Sequence, residues 1–178
     1  MGPVRSIKGQ ILPMSIMEGA YLVTGASKGI GKSIALSIAR NGSPVIALAR
    51  QSVELESVKS ELLELQPDSI IIACDLGDGP QIIDAVAKVS SKFGHLSGIV
   101  HNAGTIHPIE NMMDADIQNW ANSIQVNLIG VQDLTSQLKA SIGGHRHTRI
   151  TTISSGAAKR SIHGWSAYCV SKAGLDMW

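Results

Sequence analysis

A tyrosine and a lysine four positions apart, Tyr168 and Lys172, are the residues of this sequence best suited to acid–base chemistry. On a helix, side chains at i and i+4 project from one face, one turn apart. A free phenol has a pKa of about 10, and a neighbouring ammonium stabilises the phenolate, which suits the phenol to proton transfer at neutral pH. On most helices such a pair is only a surface pair, so the spacing alone does not establish a site.

Two further polar residues could complete such a site. Ser155 lies 13 residues before Tyr168, at the end of a predicted strand. A hydroxyl in that place can hydrogen-bond a substrate carbonyl and stabilise a developing oxyanion. Asn127 lies within the longest predicted helix, where asparagine is mildly unfavourable and has no required structural task. Ser155, Tyr168, Lys172 and Asn127 are therefore the candidate catalytic residues.

A glycine-rich stretch connects the first predicted strand to the first predicted helix. Glycines in such a turn allow a tight bend and let backbone N–H groups approach a pyrophosphate. The spacing is Gly-x-x-x-Gly-x-Gly rather than the commoner Gly-x-Gly-x-x-Gly, and any strand-to-helix turn can use glycine. The candidate nucleotide-binding residues of this stretch are Gly25, Ser27, Lys28, Gly29, Ile30 and Gly31.

The second predicted strand ends at a basic residue, Arg50, 19 positions after Gly31. An acidic residue there would accept hydrogen bonds from the ribose hydroxyls of NAD. An arginine would instead bind a 2′-phosphate through charge-assisted hydrogen bonds, and Lys28 could add a second positive charge. The alternative is that both are solvated surface cations. The pair favours NADP over NAD.

Taken together, these motifs resemble those of the short-chain dehydrogenases/reductases across residues 19–178, in particular benzil-reductase-like and sepiapterin-reductase-like members. The segments that carry the closer resemblance are 154–159, 164–169 and 171–177. The resemblance implies NADPH-dependent reduction of a ketone or diketone. It also implies that Lys172 binds the ribose hydroxyls and tunes Tyr168, that Tyr168 protonates the carbonyl oxygen, and that Ser155 orients it.

The resemblance assigns roles to other residues as well. Asp75, after the third strand, would hydrogen-bond the adenine, although it could equally be a turn or cap residue. Asn102, in Asn102-Ala103-Gly104, would brace the sheet beside the nicotinamide ribose. Asn127 would distort its helix so that a main-chain carbonyl holds a water linked to the lysine. His163 and Trp165 would flank the substrate, although Trp165 could also be a core anchor.

The elements that must position these residues follow from the hydrophobic pattern. Short aliphatic runs at 20–23, 45–49, 69–73, 97–100 and 149–153 predict five strands, most of them buried on both faces. Segments with helical spacing separate the strands, so that right-handed βαβ units repeat. The predicted fold class is α/β, a doubly wound parallel sheet of the Rossmann type that lacks the family's usual last two strands.

Apolar positions predict which face of each helix is buried. Asp78 and Gln81 have the spacing of a capping box at the start of the third helix. The longest helix is predicted at 114–141, with one apolar stripe. The predicted buried positions are Ile30, Ile34 and Ile38 in the first helix, Val53, Val58, Leu62 and Leu65 in the second, and Ile117, Trp120, Ile124, Leu128, Val131 and Leu138 in the longest.

The composition limits the possible partners. A net charge of +1 gives no reason to expect nucleic acid or an anionic membrane surface, and no apolar run reaches the roughly 18 residues of a membrane helix. The two cysteines, Cys74 and Cys169, have no metal-site spacing and indicate buried or half-buried thiols in the cytoplasm. We expect a small-molecule carbonyl substrate and no metal. Residues 1–18 read as an N-terminal extension and residues 19–178 as the dinucleotide-binding domain.

The resemblance also raises questions about length and assembly. Family members are usually longer, and the segment that covers their substrate has no counterpart in this sequence. The 178-residue chain is therefore expected to be marginally stable and weakly active. The alternative to a reductase is a truncated, non-catalytic nucleotide-binding or interaction module. By resemblance, helices at 114–141 and 166–178 would form a homodimer interface.

Overall fold

A computed structural model of the chain describes residues 19–143 and 147–178; the proposed extension, residues 1–18, lies outside them. Five parallel strands form one sheet in the order β3-β2-β1-β4-β5. The strands are β1 (Ala20–Thr24), β2 (Val45–Ala49), β3 (Ile70–Ala73), β4 (Leu96–His101) and β5 (Arg149–Thr152). Their ends differ from the predicted ends by one residue at most, and the doubly wound α/β fold is confirmed.

Helices cover both faces of the sheet. They are α1 (Gly29–Arg40), α2 (Val53–Leu65), α3 (Gly79–Lys92), α4 (Ile117–Ile124), α5 (Gly130–Gln137) and α6 (Ser166–Met177). Neighbouring residues of one strand pack on opposite faces of the sheet, because successive side chains along a strand point in alternate directions. Leu22 belongs to a core cluster with α3 and α5, whereas Val23 belongs to a second cluster with α1 and α2. The near-continuous apolar runs of the central strands follow from this two-sided burial.

The edge strand β5 differs from the central strands. Arg149, Ile150 and Thr151 are exposed, and β5 pairs only with β4 within the described part of the chain. The backbone N–H of Ile153 still donates to the carbonyl oxygen of His101 at 2.9 Å, just beyond the strand. The carboxyl end of β5 is thus held beside that of β4.

The prediction that Ile30 of α1 and Val53 and Leu65 of α2 are buried is wrong. Ile30 is 63% exposed and Val53 is 86% exposed, and Leu65 is also exposed. In the first turns of these helices, Gly31 and Leu55 are buried instead of Ile30 and Val53. The buried residues are Gly31, Ala35, Leu36 and Ala39 in α1, and Leu55, Val58 and Leu62 in α2.

The predicted capping residue of α3 is confirmed. Asp78 is the N-cap, and its carboxylate accepts from the backbone N–H of Gln81 at 3.1 Å. The side chain of Gln81 departs from the capping box, because its oxygen accepts from the backbone N–H of Asp75 and its nitrogen donates to the Asp78 carboxylate. Gln81 thereby ties the start of α3 to the end of β3.

The longest helix is not uniform. It begins at Ile117, three residues later than predicted, because Asp116 caps it by accepting from the backbone N–H of Asn119 at 2.9 Å. Between α4 and α5 the chain forms a π-helical segment, Gln125–Ile129, and a 3₁₀ turn follows α5 at Leu138–Ala140. The predicted apolar stripe is buried at Val131 and Leu138 but exposed at Ile117. No helix within the described ranges is long and apolar enough to cross a membrane.

Candidate active site

A cleft of about 790 Å³ opens at the carboxyl ends of β1, β2, β3 and β4. Ligands of open α/β sheets bind at this edge, where the strand order reverses. Six of the predicted cofactor-binding residues lie in its wall: Gly25, Ser27, Lys28, Arg50, Asp75 and Asn102. The cleft therefore brings together residues that are up to 77 positions apart in the sequence.

The glycine turn fits the approach of a phosphate. Gly25 has a φ of +65° and Gly29 a φ of +57°, a region that favours glycine. Lys28 is the N-cap of α1, yet no side chain caps the helix and its first turn has no acidic residue. The first N–H groups of α1 are thus not used by a side-chain cap, which is the arrangement that binds anions at helix N-termini. Ile30 lies in this first turn with an exposed side chain, so it would contribute its backbone N–H to such a contact.

Asn102 braces the glycine turn. Its amide nitrogen donates to the carbonyl oxygens of Thr24 at 3.0 Å and Gly25 at 3.1 Å. The hydroxyl oxygen of Thr24 accepts from the backbone N–H groups of both Asn102 and Ala103. A Cβ at Gly31 would overlap the carbonyl oxygen of Gly25 and the Asn102 amide, so this packing requires glycine. These hydrogen bonds hold the end of β4 against the turn after β1.

The basic end of the cleft lies between the glycine turn and the start of α2. Lys28 and Arg50 are both exposed and both line the cleft. Ser52 caps α2, because its hydroxyl accepts from the backbone N–H of Leu55 at 3.2 Å. Glu54, in the first turn of α2, lines the same part of the cleft. Two cations and one carboxylate therefore meet where β2 ends.

Asp75 has a turn role and also lines the cleft. Its carboxylate accepts from the backbone N–H of Gly77 at 2.8 Å, and Gln81 holds its backbone N–H. This is the local turn that an aspartate forms with the backbone two residues on. The turn role given to Asp75 from the sequence is therefore confirmed, whereas its contact with adenine stays a prediction.

Tyr168 and Lys172 lie on α6, with the Lys172 Nζ 5.9 Å from the centroid of the Tyr168 ring. Lys172 is 3% exposed, and its Nζ donates to the carbonyl oxygen of Ile153 at 2.8 Å. Burial lowers the pKa of Lys172, and the Asp176 carboxylate raises it in part. The ammonium therefore sits in a low-dielectric position beside the phenol, where its charge acts strongly.

Ser155 follows β5 and begins a 3₁₀ turn, Gly156–Ala158, that packs against α6. Its hydroxyl oxygen accepts from the backbone N–H of Ala157 at 3.2 Å. The hydroxyl proton is not used by that bond, so it can be donated to another oxygen. The serine is fixed by the same turn that rests on the helix carrying Tyr168.

Asn127 lies inside the π-helical segment and is fully buried. Its amide nitrogen donates to the Thr105 carbonyl oxygen at 2.8 Å and to the Ser171 hydroxyl at 2.9 Å, while its side-chain oxygen accepts from the Thr105 N–H at 2.7 Å. π-helical segments are rare and often occur at functional sites. The helix is distorted at Asn127, as the resemblance implies.

Gly104 connects the nucleotide cleft to the Tyr168–Lys172 pair. It lines the cleft, and a Cβ built on it would be 3.2 Å from the Asn127 side-chain oxygen and 3.7 Å from the Lys172 Nζ. Asn127 in turn holds Ser171 on α6. Gly104 thus links the cleft wall to Lys172, although neither Tyr168 nor Lys172 lines the cleft itself.

The decisive observation is a match over almost the whole described chain. Residues 20–178 match the model of the short chain dehydrogenase family. The chain belongs to the short-chain dehydrogenase family.

Several relatives of this short-chain dehydrogenase are reductases by name. It is 36% identical over 163 residues to a benzil reductase ((S)-benzoin forming) of Bacillus subtilis, an alignment that covers 89% of this chain and 63% of the relative. It is 38% identical over 160 residues to the L-xylulose reductase of Caenorhabditis elegans, covering 88% of this chain and 61% of the relative. The chain thus spans about three-fifths of the length of these relatives.

Solved structures of the same family share the fold. A short-chain dehydrogenase of Escherichia coli CFT073 complexed with NADPH superimposes with a TM-score of 0.78 at 28% identity, covering 90% of this chain and 68% of that one. One from Shigella flexneri 2a gives a TM-score of 0.80 at 27% identity, covering 91% of this chain and 73% of that one. The fold assignment therefore has independent structural support.

Sequence reasoning missed Asp176 in this short-chain dehydrogenase. Its carboxylate lies 2.8 Å from the Lys159 Nζ, and hydrogen bonds from Lys159 and Ser154 lower its pKa. Lys172 and Asp176, one helical turn apart, thus hold consecutive residues of the turn that carries Ser155. The spacing in the sequence could have indicated this residue, because Asp176 continues the i, i+4 series that begins at Tyr168.

The aromatic residue beside the site, Trp165, meets the Tyr168 ring edge-on, with the ring centroids 5.8 Å apart. Trp165 is half-buried and His163 is exposed. The indole thus contacts the phenol and also faces solvent, which is compatible with either role given to it from the sequence. Across the described ranges, no group of three or more His, Cys, Asp or Glu side chains could hold a metal ion.

Proposed function

We propose that this short-chain dehydrogenase is an NADP-dependent oxidoreductase that reduces a ketone or diketone carbonyl, with Tyr168 as the general acid. The observation that carries the proposal is the Tyr168–Lys172 pair, in which a buried ammonium lies 5.9 Å from the phenol ring centroid. An ammonium beside a phenol favours the phenolate left after proton donation. Further support comes from Gly104, which lines the cleft proposed for the nucleotide and at which a built Cβ would be 3.7 Å from the Lys172 Nζ.

Each polar residue has a distinct task in the proposed reaction. NADPH, when bound, supplies the hydride. Tyr168 donates its proton to the carbonyl oxygen, and Ser155 donates a hydrogen bond to the same oxygen as negative charge develops there. Lys172 binds the ribose hydroxyls and stabilises the phenolate. Asn127 keeps α6 in position through Ser171.

The proposed substrate class rests on the relatives and on the site. One relative is named for benzil, a diketone, and another for L-xylulose, a ketose, so both names describe carbonyl compounds. Trp165 offers an aromatic face next to Tyr168. An aromatic or otherwise apolar diketone is therefore the first substrate to test.

The proposed preference for NADP rests on Lys28 and Arg50, which are exposed at the same end of the cleft. A related structure contains NADPH. Arg50→Asp should erase or reverse the preference, because a carboxylate repels the 2′-phosphate and can accept from ribose hydroxyls. Dissociation constants for NADPH and NADH test this, with Arg40→Asp, an exposed change at the end of α1, as the control. Equal affinities of the parent protein for both cofactors would contradict the proposal.

Tyr168→Phe tests the proposed acid. Turnover of benzil, followed by the loss of NADPH absorbance, should fall by at least about 100-fold, because general acid catalysis is worth that much. NADPH affinity should be nearly unchanged, since only a hydroxyl group is removed. Tyr21→Phe is the matched control, because Tyr21 and Tyr168 are the two tyrosines of the sequence and Tyr21 lies in β1. Benzil reduction by Tyr168→Phe at the parent rate would refute the assignment.

A nucleotide-binding module without turnover is the second candidate. The observation that favours it is the exposed edge strand β5, which leads directly into Ser155. Exclusion of water strengthens the interactions within an active site, and an open edge does not provide it. Tight NADPH binding by the 178-residue chain without benzil reduction would support this candidate.

We further propose a cytoplasmic location, supported by the two free thiols, Cys74 and Cys169.

A further inference from the structure

The cofactor-selecting end of the cleft contains an acidic residue as well as the two basic ones. Glu54 lies in the first turn of α2 and lines the cleft with Lys28 and Arg50. The described wall contains one other carboxylate, Asp75, which accepts from the Gly77 N–H. Glu54 is therefore the carboxylate placed among the cations that are expected to meet a 2′-phosphate.

The neighbouring carboxylates of α2, Glu56 and Glu61, do not line the cleft and interact with other side chains. Glu56 accepts from the Gln51 side chain at 3.2 Å, and Glu61 pairs with Lys32 at 2.7 Å. Hydrogen bonds from its own backbone N–H and from Ser52 lower the pKa of Glu54, and the charge of Lys28 lowers it to a smaller degree. At neutral pH the Glu54 side chain is accordingly ionised, and it lines the cleft together with Lys28.

We propose that Glu54 is a specificity-determining residue that weakens NADPH binding selectively and so limits the NADPH preference that Lys28 and Arg50 create. The inference rests on the proposed function. A 2′-phosphate carries up to two negative charges, and like charges brought together at a binding site disfavour the complex. NADH has a neutral hydroxyl in that place, so Glu54 imposes no comparable cost on it. Glu54 also competes with the phosphate for Lys28.

The direct test is Glu54→Gln, which removes the charge and keeps the shape. The dissociation constant for NADPH should fall roughly fivefold, the size expected of a charge contact partly screened by water, while that for NADH stays unchanged. Glu54 is exposed, so the substitution should leave the fold intact, which circular dichroism and the unfolding midpoint verify. Glu64→Gln, an exposed change near the other end of α2, is the matched control and should alter neither constant.

Two additional arms identify the mechanism. The gain from Glu54→Gln should shrink as salt is raised, because screening weakens the repulsion. In a Lys28→Met background the gain should also shrink, because Glu54 then has no lysine to withhold from the phosphate. Glu54→Asp, which keeps the charge, should bind NADPH no more tightly than the parent protein.

The outcomes separate this inference from the proposed function. A parent protein that binds neither cofactor, or binds both equally, would refute the proposed NADP dependence. A parent that prefers NADPH while Glu54→Gln changes neither constant would refute the role of Glu54 and leave the proposed function standing. An equal gain for NADH would likewise refute it, since the effect would then not involve the 2′-phosphate.

Discussion

The imidazole of His101 is buried at the carboxyl end of β4, one residue before Asn102. Its Nε2 lies 2.9 Å from the Thr135 hydroxyl, and that hydroxyl donates to the Val131 carbonyl oxygen. The Thr135 oxygen therefore accepts from Nε2–H, which fixes the tautomer. Within the described ranges the Nδ1 atom has no hydrogen-bond partner, and the Trp178 ring lies edge-on with its centroid 5.8 Å away. Protonation would place a charge in this apolar position.

The His101 environment predicts a loss of stability in mild acid. Burial lowers the pKa of His101 from 6.5 to about 4, so between these values the unfolded chain binds a proton that the folded chain does not. The contribution is present above pH 6.5 and is lost as the pH falls toward 4. Between pH 7 and pH 5 the loss from this residue should be about 2 kcal/mol.

Urea unfolding of the parent protein and of His101→Gln measures the effect. The glutamine keeps a donor for Thr135 but does not titrate in this range, so its unfolding free energy should fall less between pH 7 and pH 5. Exposed His163→Gln is the control and should behave like the parent. A parallel loss of stability in the parent and His101→Gln proteins would show that His101 is not the titrating group.

At the scale of elements, the glycine turn and the end of β4 depend on one another. The Gly31→Ala methyl group would overlap the Gly25 carbonyl oxygen and the Asn102 amide, which are backbone and braced side chain rather than flexible ends. Forcing an extra carbon into such packing costs about 1–3 kcal/mol. We expect Gly31→Ala to lower the unfolding free energy by that amount and to weaken NADPH binding by at least about tenfold, because the N–H groups of the turn move.

Denaturant unfolding and cofactor titration measure the two effects of Gly31→Ala. Gly94→Ala is the control, because a Cβ at Gly94 meets no atom within 4 Å. The control should change neither quantity appreciably. Unchanged NADPH affinity in Gly31→Ala would mean that the turn is not part of the cofactor site.

The elements show which features the sequence could predict. Strand positions followed from aliphatic runs, and Asp78 followed from local capping chemistry. The start of α4 did not, because both Asp114 and Asp116 could cap it and only Asp116 does so. Ile30 and Val53 match the helical period, but Gly31 and Leu55 are buried in their place, which depends on how each helix packs on the sheet.

In the candidate site, too, residues with a local spacing could be predicted and their long-range partners could not. The motif residues, such as Tyr168 and Lys172, could be identified because their spacing is local. The bond from the Lys172 Nζ to the Ile153 carbonyl oxygen and the Asp176–Lys159 ion pair join residues across the turn after β5. Such partners depend on tertiary packing, and the sequence alone could not show them.

At the scale of the whole molecule, the strand order explains how the proposed nucleotide-binding residues and Ser155 come to lie at one edge of the sheet. The chain runs outward from β1 through β2 to β3, then crosses back to add β4 and β5 on the other side. The reversal lies between β1 and β4, and the glycine turn and Asn102 flank it. The residues proposed for the adenine side follow β2 and β3, whereas Ser155 follows β5. In the proposed binding mode, a dinucleotide laid across the reversal would extend from Arg50 toward Tyr168.

The exposed side chains of the π-helical segment and of α6 bear on assembly. The π-helical segment packs on α6, where a Cβ at Gly174 would lie 2.8 Å from the Leu128 side chain. Ile129 in that segment is 49% exposed and Val170 on α6 is 51% exposed. Exposed apolar side chains on two packed helices are consistent with an interface, and the proposed homodimer uses these helices. The same two helices carry Asn127 and the Tyr168–Lys172 pair, so a partner that packs on them would also restrain the site.

The homodimer prediction is tested with Val170→Glu. The parent protein should sediment at twice the 18.8 kDa of one chain, and Val170→Glu should raise the dimer dissociation constant by about tenfold or more, because a carboxylate would be buried without a partner. Ile83→Glu is the control: Ile83 is similarly exposed, at 57%, but lies on α3, away from the proposed interface. If the interface restrains α6, the Val170→Glu protein should also lose stability at concentrations where the parent is dimeric and match it where both are monomeric. A parent protein that stays monomeric at all concentrations, or an equal effect of Ile83→Glu, would refute this assembly.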